Sequence, residues 1–216
     1  MTLPRVIILG AGGHARVVIE AIRAAGVAEL VAAIDSNPLL HGREVGGVMI
    51  IGGDGSLPAL AASGATHFVV AVGSVRRTSL RAQLFELGLK SGLQPLTFAH
   101  PSAIRSPSSI IDAGSQLLAG CIVNTQASLG RNVIVNSGAI IEHDCVIGSH
   151  SHIASGACLC GGVIVGEEVH VGARATILQG IHVGHRAVIG AGAVVLHDVP
   201  DGDTVAGVPA RSIRKS

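Results

Sequence analysis

Residues 145–186 read CVIGSH SHIASG ACLCGG VIVGEE VHVGAR ATILQG IHVGHR when they are divided into sixes. The third position of every six is Ile, Leu or Val, and glycine recurs at the fourth and sixth positions. A fixed short period of this kind is typical of repeat architectures. The aliphatic position continues without a break in both directions and is occupied by Ile111, Leu117, Val123, Leu129, Val135, Ile141, Ile147, Ile153, Leu159, Val165, Val171, Ile177, Val183, Ile189 and Val195.

A period of six predicts a parallel β-helix, in which each hexad is a short strand and a corner. Three hexads close a triangular coil of 18 residues, so we expect about five coils over residues 105–198. The chain has no Trp or Tyr, and its three Phe residues all precede Ala99. A core of small and β-branched side chains therefore indicates a narrow, regular cross-section. A β-sandwich would instead show turn signals every 8–12 residues and alternation with a period of two, neither of which is present.

Composition excludes several other classes of protein. The formal net charge is +1, which gives no electrostatic footprint for nucleic acid. No apolar run approaches the ~20 residues of a membrane span, so we expect a soluble, cytoplasmic protein. In that compartment the four cysteines are expected to be free thiols.

The N-terminal region carries a different pattern. A buried strand ending at Leu9 is followed by Gly10-Ala11-Gly12-Gly13-His14, and a second strand ends at Asp35. This spacing resembles the phosphate-binding turn of Rossmann folds, where glycines let backbone amides approach an anion. A tight turn without a ligand is the alternative. Further on, residues 67–73 predict another parallel strand, and Leu80, Leu84 and Leu87 mark the apolar stripe of a helix. We therefore predict a small α/β Rossmann-like domain over residues 1–98 and the β-helix over residues 99–216.

One histidine of the β-helix stands out as a candidate for chemistry. His143 precedes Asp144, whose carboxylate can orient the imidazole and stabilise its charged form. The residue one coil later is Gly161, which we expect to leave an open shelf for a thin ligand. Amide formation from an amine and a thioester needs such a base, together with alignment of both substrates.

The hexad resembles that of the hexapeptide-repeat acyltransferases, and residues 205–211 (VAGVPAR) are similar to the terminal signature of that family. The resemblance covers roughly residues 100–216. It implies a left-handed β-helix, a homotrimer, and acyl-CoA held between neighbouring prisms. The left-handed winding departs from the usual right-handed crossover rule, and only the resemblance supports it.

Both halves together resemble a narrower family, the N-acetyltransferases of nucleotide-linked 4-amino-4,6-dideoxy sugars. The resemblance implies transfer of an acetyl group from acetyl-CoA to the sugar 4-amino group, without a metal. Where uridine-binding members carry a second acid, this chain has Ser36, which makes a GDP-sugar such as GDP-perosamine a candidate beside a UDP-sugar. The implied substrate-binding residues are Gly10, Gly12, Gly13, His14, Asp35, Ser36, Gly73 and Asn136.

The same resemblance assigns the remaining roles. His143 is expected to be the general base and Asp144 its orienting partner, while Asn136 holds the sugar. Contacts with acetyl-CoA are expected from His152, Gly161, Ala173, Ala191 and Arg211. Beyond Arg211, the basic residues Arg214 and Lys215 are further candidates for the coenzyme phosphates, unless the terminus is simply a solvated basic segment.

Four rival functions have to be considered, and the sequence argues against the first of them. A zinc enzyme like the γ-type carbonic anhydrases needs histidines two coils apart, but the residues two coils after His143 and His152 are Gln179 and Val188. Cys158 and Cys160 have no second cysteine pair, so we predict no zinc site. The others are a non-catalytic trimeric scaffold, O-acetylation of a sialic acid or other sugar, and acetylation of a free amino acid.

Overall fold

The computed structural model describes residues 2–74 and 78–213. The chain divides into two compact units, Met1–Gly73 with Leu80–Pro101, and Ser74–Ser79 with Ser102–Ser216. The division after Pro101 lies three residues beyond the one we expected from the sequence. Assignment of the short segment Ser74–Ser79 to the second unit is a feature that the sequence did not indicate.

The first unit is a Rossmann-like α/β fold, as predicted. The elements are β1 (Arg5–Leu9), α1 (Gly13–Ala25), β2 (Glu29–Ile34), β3 (Glu44–Val45), β4 (Val48–Gly52), α2 (Leu57–Ala62), β5 (His67–Val70), α3 (Ser79–Lys90), β6 (Gln94–Pro95) and β7 (Phe98–Ala99). The first six strands form one sheet in the order β3-β4-β2-β1-β5-β6, and all pairs are parallel except β3 with β4. The strand order reverses between β1 and β5, which is where ligands bind in folds of this type.

Helix α3 is present where the leucine spacing predicted it, and the predicted apolar stripe is partly confirmed. Leu84 and Leu87 pack, partly buried, against the core, whereas Leu80 is 51% exposed. The fully buried residues of the helix are Arg81, Phe85 and Gly88. Phe85 packs edge-on against Phe68 with ring centroids 5.5 Å apart, and a Cβ atom at Gly88 would lie 2.7 Å from the Phe68 ring, so the helix can approach the sheet only with glycine there.

The second unit is the predicted parallel β-helix, with two-residue strands at the predicted period. Register partners over residues 104–195 are 18 positions apart, as in Ile134 with His152 and His152 with His170, whereas Val188 pairs with Thr204, 16 positions on. The strands are β8 (Ile104–Arg105), β9 (Ile110–Ile111), β10 (Gln116–Leu117), β11 (Ile122–Val123), β12 (Ser128–Leu129), β13 (Ile134–Val135), β14 (Ile140–Ile141), β15 (Val146–Ile147), β16 (His152–Ile153), β17 (Cys158–Leu159), β18 (Ile164–Val165), β19 (His170–Val171), β20 (Thr176–Ile177), β21 (His182–Val183), β22 (Val188–Ile189), β23 (Val194–Val195), β24 (Thr204–Ala206) and β25 (Arg211–Ser212).

These strands form the three faces of a left-handed prism. Face 1 contains β8, β11, β14, β17, β20 and β23, and face 2 contains β9, β12, β15, β18 and β21. Face 3 contains β10, β13, β16, β19, β22 and β24, and the antiparallel β25 joins its end. Successive coils approach closely at glycine corners. A Cβ atom at Gly172 would lie 2.6 Å from the backbone nitrogen of Ala191, so this corner accepts no side chain.

The core of the prism is one continuous column of aliphatic and small residues. The inward hexad residues from Leu117 to Val195 are at most 2% exposed. Cys121 and Cys145 fill small positions in the same core, and burial raises the pKa of their thiols to about 12 and about 11. All four cysteines are free. Among the described residues, no helix has the length and apolar character needed to cross a membrane.

Candidate active site

The first unit contains a cavity of about 300 Å³ at the carboxyl ends of its central strands, called here the glycine-turn cavity. Seven of the predicted substrate-binding residues line it together: Gly10, Gly12, Gly13, His14, Asp35, Ser36 and Gly73. Asp54, Val72, Leu80 and Leu84 also line the cavity and were not predicted. The exception among the predicted residues is Asn136, which belongs to the prism.

The glycine turn leaves the N-terminal end of α1 open. Gly10 has φ 103°, and a Cβ atom there would lie 2.5 Å from Cγ2 of Val72. Gly12 is the N-cap of α1, where no side chain accepts from the free backbone amides, and the first turn holds no acidic residue. Unsatisfied amides and the positive end of the helix dipole favour an anion at this position.

The two aspartates of the cavity have different surroundings. Asp35 Oδ2 accepts from the backbone N–H of Ala11 at 2.8 Å, and Oδ1 accepts from that of Asn37 at 2.9 Å. Asp35 therefore fixes the glycine turn to the end of β2. No described residue hydrogen-bonds the carboxylate of Asp54, whose oxygens remain available to a ligand.

Arg81 supports the opposite wall of this cavity from below the surface. Its guanidinium is fully buried, and it donates to the carbonyl of Val72 at 2.7 Å. Burial away from water lowers its pKa to about 9. This hydrogen bond could not be predicted from the sequence, because Arg81 lies between the leucines of the expected apolar stripe.

The second unit contains an elongated groove of about 1080 Å³ along face 3, called here the face-3 groove. Three of the predicted coenzyme-binding residues, His152, Ala173 and Ala191, line it. Glycine and alanine at the corners have little or no side chain, so they leave the groove open. Residues that line it without having been predicted include Ser74, Thr78, Glu168, His170, Arg186 and Thr204.

Ser74 and Thr78 both hydrogen-bond the prism. The carbonyl of Ser74 accepts from Nδ1 of His152 at 3.0 Å, and the Ser74 hydroxyl lies 3.1 Å from the same nitrogen. The hydroxyl of Thr78, 2% exposed, donates to the carbonyl of Glu168 at 2.7 Å. These contacts place Ser74 and Thr78 in one wall of the face-3 groove.

His152 is held as a neutral imidazole with its proton on Nδ1. A carbonyl only accepts, so Nδ1 donates to Ser74, and Nε2 accepts from the side-chain amide of Asn136 at 3.0 Å. Asn136 is itself oriented by the N–H of Ser137, which donates to its Oδ1 at 2.8 Å. Both ring nitrogens of His152 and both ends of the Asn136 amide are thus engaged within the chain. The sequence did not indicate this link.

His143 and Asp144 form the predicted pair at the corner between face 1 and face 2. His143 Nδ1 donates to Asp144 Oδ2 at 2.8 Å, and the two side chains are 50% and 63% exposed. Asp144 adopts the left-handed conformation with φ 59°, which points its carboxylate back toward the ring. With the proton fixed on Nδ1, Nε2 carries the free electron pair and can accept a proton.

The expectation for Gly161 was wrong in one respect. A Cβ atom at Gly161 would lie 2.5 Å from both Cε1 and Nε2 of His143. The space above this glycine is therefore filled by the imidazole ring and does not form an open shelf. Glycine at this position lets His143 lie flat against the next coil.

Other predicted residues lie apart from these clusters. His143, Asp144 and Gly161 do not line the face-3 groove of their own chain. Arg211 is exposed on β25 and donates to the carbonyl of its neighbour Ala210, although Ile213 reaches the groove. Arg214 and Lys215 lie outside the described residues. Across the described part of the chain, no group of three or more His, Cys, Asp or Glu residues is placed to hold a metal ion.

Comparison with known proteins agrees with this organisation. Residues 5–86 match the PglD N-terminal domain. Residues 126–161 match the bacterial transferase hexapeptide (six repeats), and residues 162–197 match the hexapeptide repeat of succinyl-transferase. A comparison with curated protein sequences gives no match.

Solved structures decide the family. A histidine-to-asparagine variant of perosamine N-acetyltransferase from Caulobacter crescentus, in complex with CoA and GDP-perosamine, is 36% identical with a TM-score of 0.93, covering 99% of each chain. The acetyltransferase domain of PglB from Neisseria gonorrhoeae, in complex with acetyl coenzyme A, is 36% identical with a TM-score of 0.90, covering 98% of this chain and 100% of that one. The chain belongs to the hexapeptide-repeat nucleotide-sugar N-acetyltransferases.

Membership of this N-acetyltransferase family agrees with the separate ligand sites seen here. WeeI from Acinetobacter baumannii is 22% identical with a TM-score of 0.64, covering 98% of this chain and all of that one, and shares the fold. The glycine-turn cavity and the face-3 groove lie in different units, as expected for an enzyme with two substrates.

Proposed function

We propose that this enzyme transfers an acetyl group from acetyl-CoA to the 4-amino group of a nucleotide-linked 4-amino-4,6-dideoxy sugar, in glycan biosynthesis. The observation that carries the proposal is the 36% identity, over 99% of both chains, to an enzyme solved with CoA and GDP-perosamine. The clustering of seven predicted residues in the glycine-turn cavity supports it. Free cysteines agree with a reducing compartment, so we assign the reaction to the cytoplasm.

His143 would collect the proton released in the reaction. The sugar amine attacks the thioester carbonyl, the C–N bond forms, and the C–S bond breaks with the electron pair leaving on sulfur. The proton passes from the amine nitrogen to Nε2 of His143 and then to the departing thiolate. Asp144, 2.8 Å from Nδ1, keeps Nε2 free and stabilises the charged ring.

The two substrates would occupy the two sites described above. The open end of α1 suits the diphosphate, and the face-3 groove suits the extended pantetheine arm of acetyl-CoA. Arg186 is the one Lys or Arg among the described residues that line the groove, and it would contact a coenzyme phosphate. Asn136 hydrogen-bonds His152 and does not line the glycine-turn cavity, so its proposed role is to position His152 rather than to hold the sugar.

The cavity chemistry favours GDP over UDP. Asp54 offers a carboxylate with no hydrogen bond from the described residues. Guanine presents two adjacent donors, N1–H and the N2 amino group, which match the two oxygens of a carboxylate, whereas uracil presents a single N–H. Ser36, beside Asp35, adds no second negative charge at this rim.

We further propose that the active enzyme is a homotrimer. His143 is half-exposed and does not line the groove of its own chain. Beside its corner, face 2 exposes Ile110, Val146 and Ile164 at 62%, 46% and 39%. Packing this apolar face against a neighbouring prism would bury it, and would place His143 at the groove of that neighbour.

The test is an assay of purified enzyme with acetyl-CoA and a panel of GDP- and UDP-linked 4-amino sugars. We expect release of CoA with a GDP-linked amino sugar, and a mass gain of one acetyl group on the nitrogen. Acetylation of a hydroxyl group or of a free amino acid would establish one of the other enzyme classes. Absence of turnover, combined with absence of CoA binding, would favour the scaffold.

The nucleotide preference has its own variant. Replacement Asp54→Asn should weaken GDP binding while leaving the weaker binding of UDP nearly unchanged, measured by calorimetry. Equal losses for both nucleotides would show that Asp54 does not read the base.

A further inference from the structure

Two histidines stand side by side on face 3. His152 of β16 and His170 of β19 are register partners, their ring centroids are 5.2 Å apart, and the rings meet at 68°. Both are more than nine-tenths buried, at 5% and 7% exposure, and both line the face-3 groove. They differ in what their nitrogens contact.

The nitrogens of His152 are already engaged. Nδ1 donates to Ser74 and Nε2 accepts from Asn136, so this ring can offer a ligand only its carbon edge. In His170, no described residue hydrogen-bonds either ring nitrogen, and Nδ1 is fully buried, so Nε2 is the nitrogen that a ligand in the groove can reach. A ligand amide that bonds Nε2 gives this largely buried ring the hydrogen-bond partner it lacks.

His170 has the right character for a neutral amide. Burial lowers its pKa, so the ring is uncharged at neutral pH and has one donor and one acceptor nitrogen. Gly172, Ala173 and the register partner Val188 also line the groove and offer an amide no side-chain hydrogen-bonding group.

The position of His170 along the groove indicates which part of the coenzyme would lie beside it. The groove spans four neighbouring strands, β16, β19, β22 and β24, which at ~4.8 Å per strand is roughly 14 Å. His170 lies on the second of these strands, in the interior of the groove. A chain containing amides and running along the coils must pass this ring.

We propose that His170 hydrogen-bonds an amide of the pantetheine arm of acetyl-CoA and is a binding residue of the cosubstrate site. This inference rests on the proposed use of the face-3 groove by acetyl-CoA. His152 then has a structural role, since it joins Asn136 to the segment Ser74–Ser79. In this proposal His170, and not His152 as expected from the sequence, provides the imidazole that contacts the coenzyme.

The test compares three variants and two ligands. His170→Phe keeps a flat ring and removes both nitrogens, and His170→Gln restores a polar group at about the distance of Nε2 from the backbone. His197→Phe is the control, because His197 is exposed, follows β23 of face 1 and does not line the groove. The ligands are CoA and its nucleotide portion, adenosine 3′,5′-bisphosphate, with dissociation constants measured by calorimetry.

We expect His170→Phe to weaken CoA binding by about three- to tenfold, the effect of one neutral hydrogen bond. Binding of adenosine 3′,5′-bisphosphate should not change, kcat should stay within about twofold, and His170→Gln should regain most of the CoA affinity. His197→Phe should match the wild type in every measurement. Unchanged CoA affinity in His170→Phe, an equal loss for the bisphosphate, or a fall in kcat alone would each overturn the inference.

A measurement on the unaltered enzyme covers the case in which His170→Phe does not fold. The imidazole nitrogen resonances of His170, assigned by their loss in His170→Gln, should shift when CoA is added and stay in place with adenosine 3′,5′-bisphosphate. Resonances that CoA does not move would overturn the inference. Failure of the wild type to bind CoA at all would instead remove the proposed function.

Discussion

Among single residues, His143 is the proposed general base, and its role can be tested directly. Its Nδ1 is held by Asp144 and its Nε2 is free, so His143→Ala should lower kcat by ~10²–10⁴-fold with smaller changes in either KM. Asp144→Asn should cost less, because the imidazole remains. Steady-state kinetics of both variants checks this, with His197→Ala, another exposed corner histidine, as control. A loss below about tenfold for His143→Ala would mean that alignment dominates and that solvent accepts the proton.

Gly161 gives a sharper test of the same geometry, because it touches the base without taking part in chemistry. The added Cβ of Gly161→Ala would overlap Cε1 and Nε2 of His143 and push the ring aside. Since a displacement of about 1 Å can cost ~10²-fold, we expect kcat to fall by ~10-fold or more with the fold intact.

Gly162→Asn is the control for this substitution. Gly162 has φ 68°, and the equivalent corners already carry Gln126 and Asp144 at φ 57° and 59°. Circular dichroism and kinetics of the pair should therefore show normal structure in both and impaired catalysis only in Gly161→Ala. Equal activity in the two variants would show that the ring position is not critical.

The residues of the glycine turn could be predicted because they are a local motif. Gly10, Gly12 and Asp35 lie on two consecutive strand ends, and the spacing alone brings them into one cavity. The partners of His152 could not, because Ser74 is 78 positions away in sequence and contacts it through a backbone carbonyl that no side-chain pattern reveals. His170 was likewise missed, because the sequence does not show that its ring nitrogens lack hydrogen bonds from the described residues while those of His152 have them.

At the scale of elements, the hexad gave the strands of the prism and their register almost completely. Each inward aliphatic residue stacks on its equivalent one coil later, so a single period determines strand positions, pairing and core. Helix α3 shows the limit of such patterns. Its leucines predicted the helix, but Phe85 and Gly88 form the buried face because the sheet contributes Phe68 at that point.

The segment Ser74–Ser79 is the element whose role can be tested most directly. Thr78→Val keeps the shape of the side chain and removes the hydroxyl that donates to the Glu168 carbonyl. Leaving that partly buried carbonyl without its partner should lower the free energy of unfolding by about 1 kcal/mol. Because Thr78 lines the face-3 groove, the KM for acetyl-CoA should rise while the affinity for the nucleotide sugar stays nearly constant.

Thr176→Val provides the comparison for Thr78→Val. Thr176 is half-buried on β20, and no described residue bonds its hydroxyl. Denaturant unfolding and KM measurements should leave this variant like the wild type. If both threonine variants behave alike, the anchor at Glu168 does not support the groove.

For the whole molecule, the hexad pattern does not predict how chains assemble. The hexad determines the inside of the prism, because inward positions repeat, but the outward positions follow no such rule. Face 2 carries Ile110, Ser128, Val146, Ile164 and His182 in order. Its exposed aliphatic residues indicate a contact surface, and its polar residues Ser128 and His182 do not determine how many copies meet there.

The last prediction joins assembly to catalysis. In the proposed trimer, Val146 is buried at the contact beside His143, so Val146→Asp would place an unpaired charge in an apolar interface. We expect light scattering to give three times the 21.7 kDa chain mass for the wild type and a lower mass for the variant. Because His143 would then lose the neighbouring groove, kcat should fall and should depend on protein concentration. Leu39→Asp, at a position 76% exposed in the first unit, should change neither mass nor kcat. A fully active monomer would show that one chain holds the whole site, and His143 would then have to reach the face-3 groove without a neighbour.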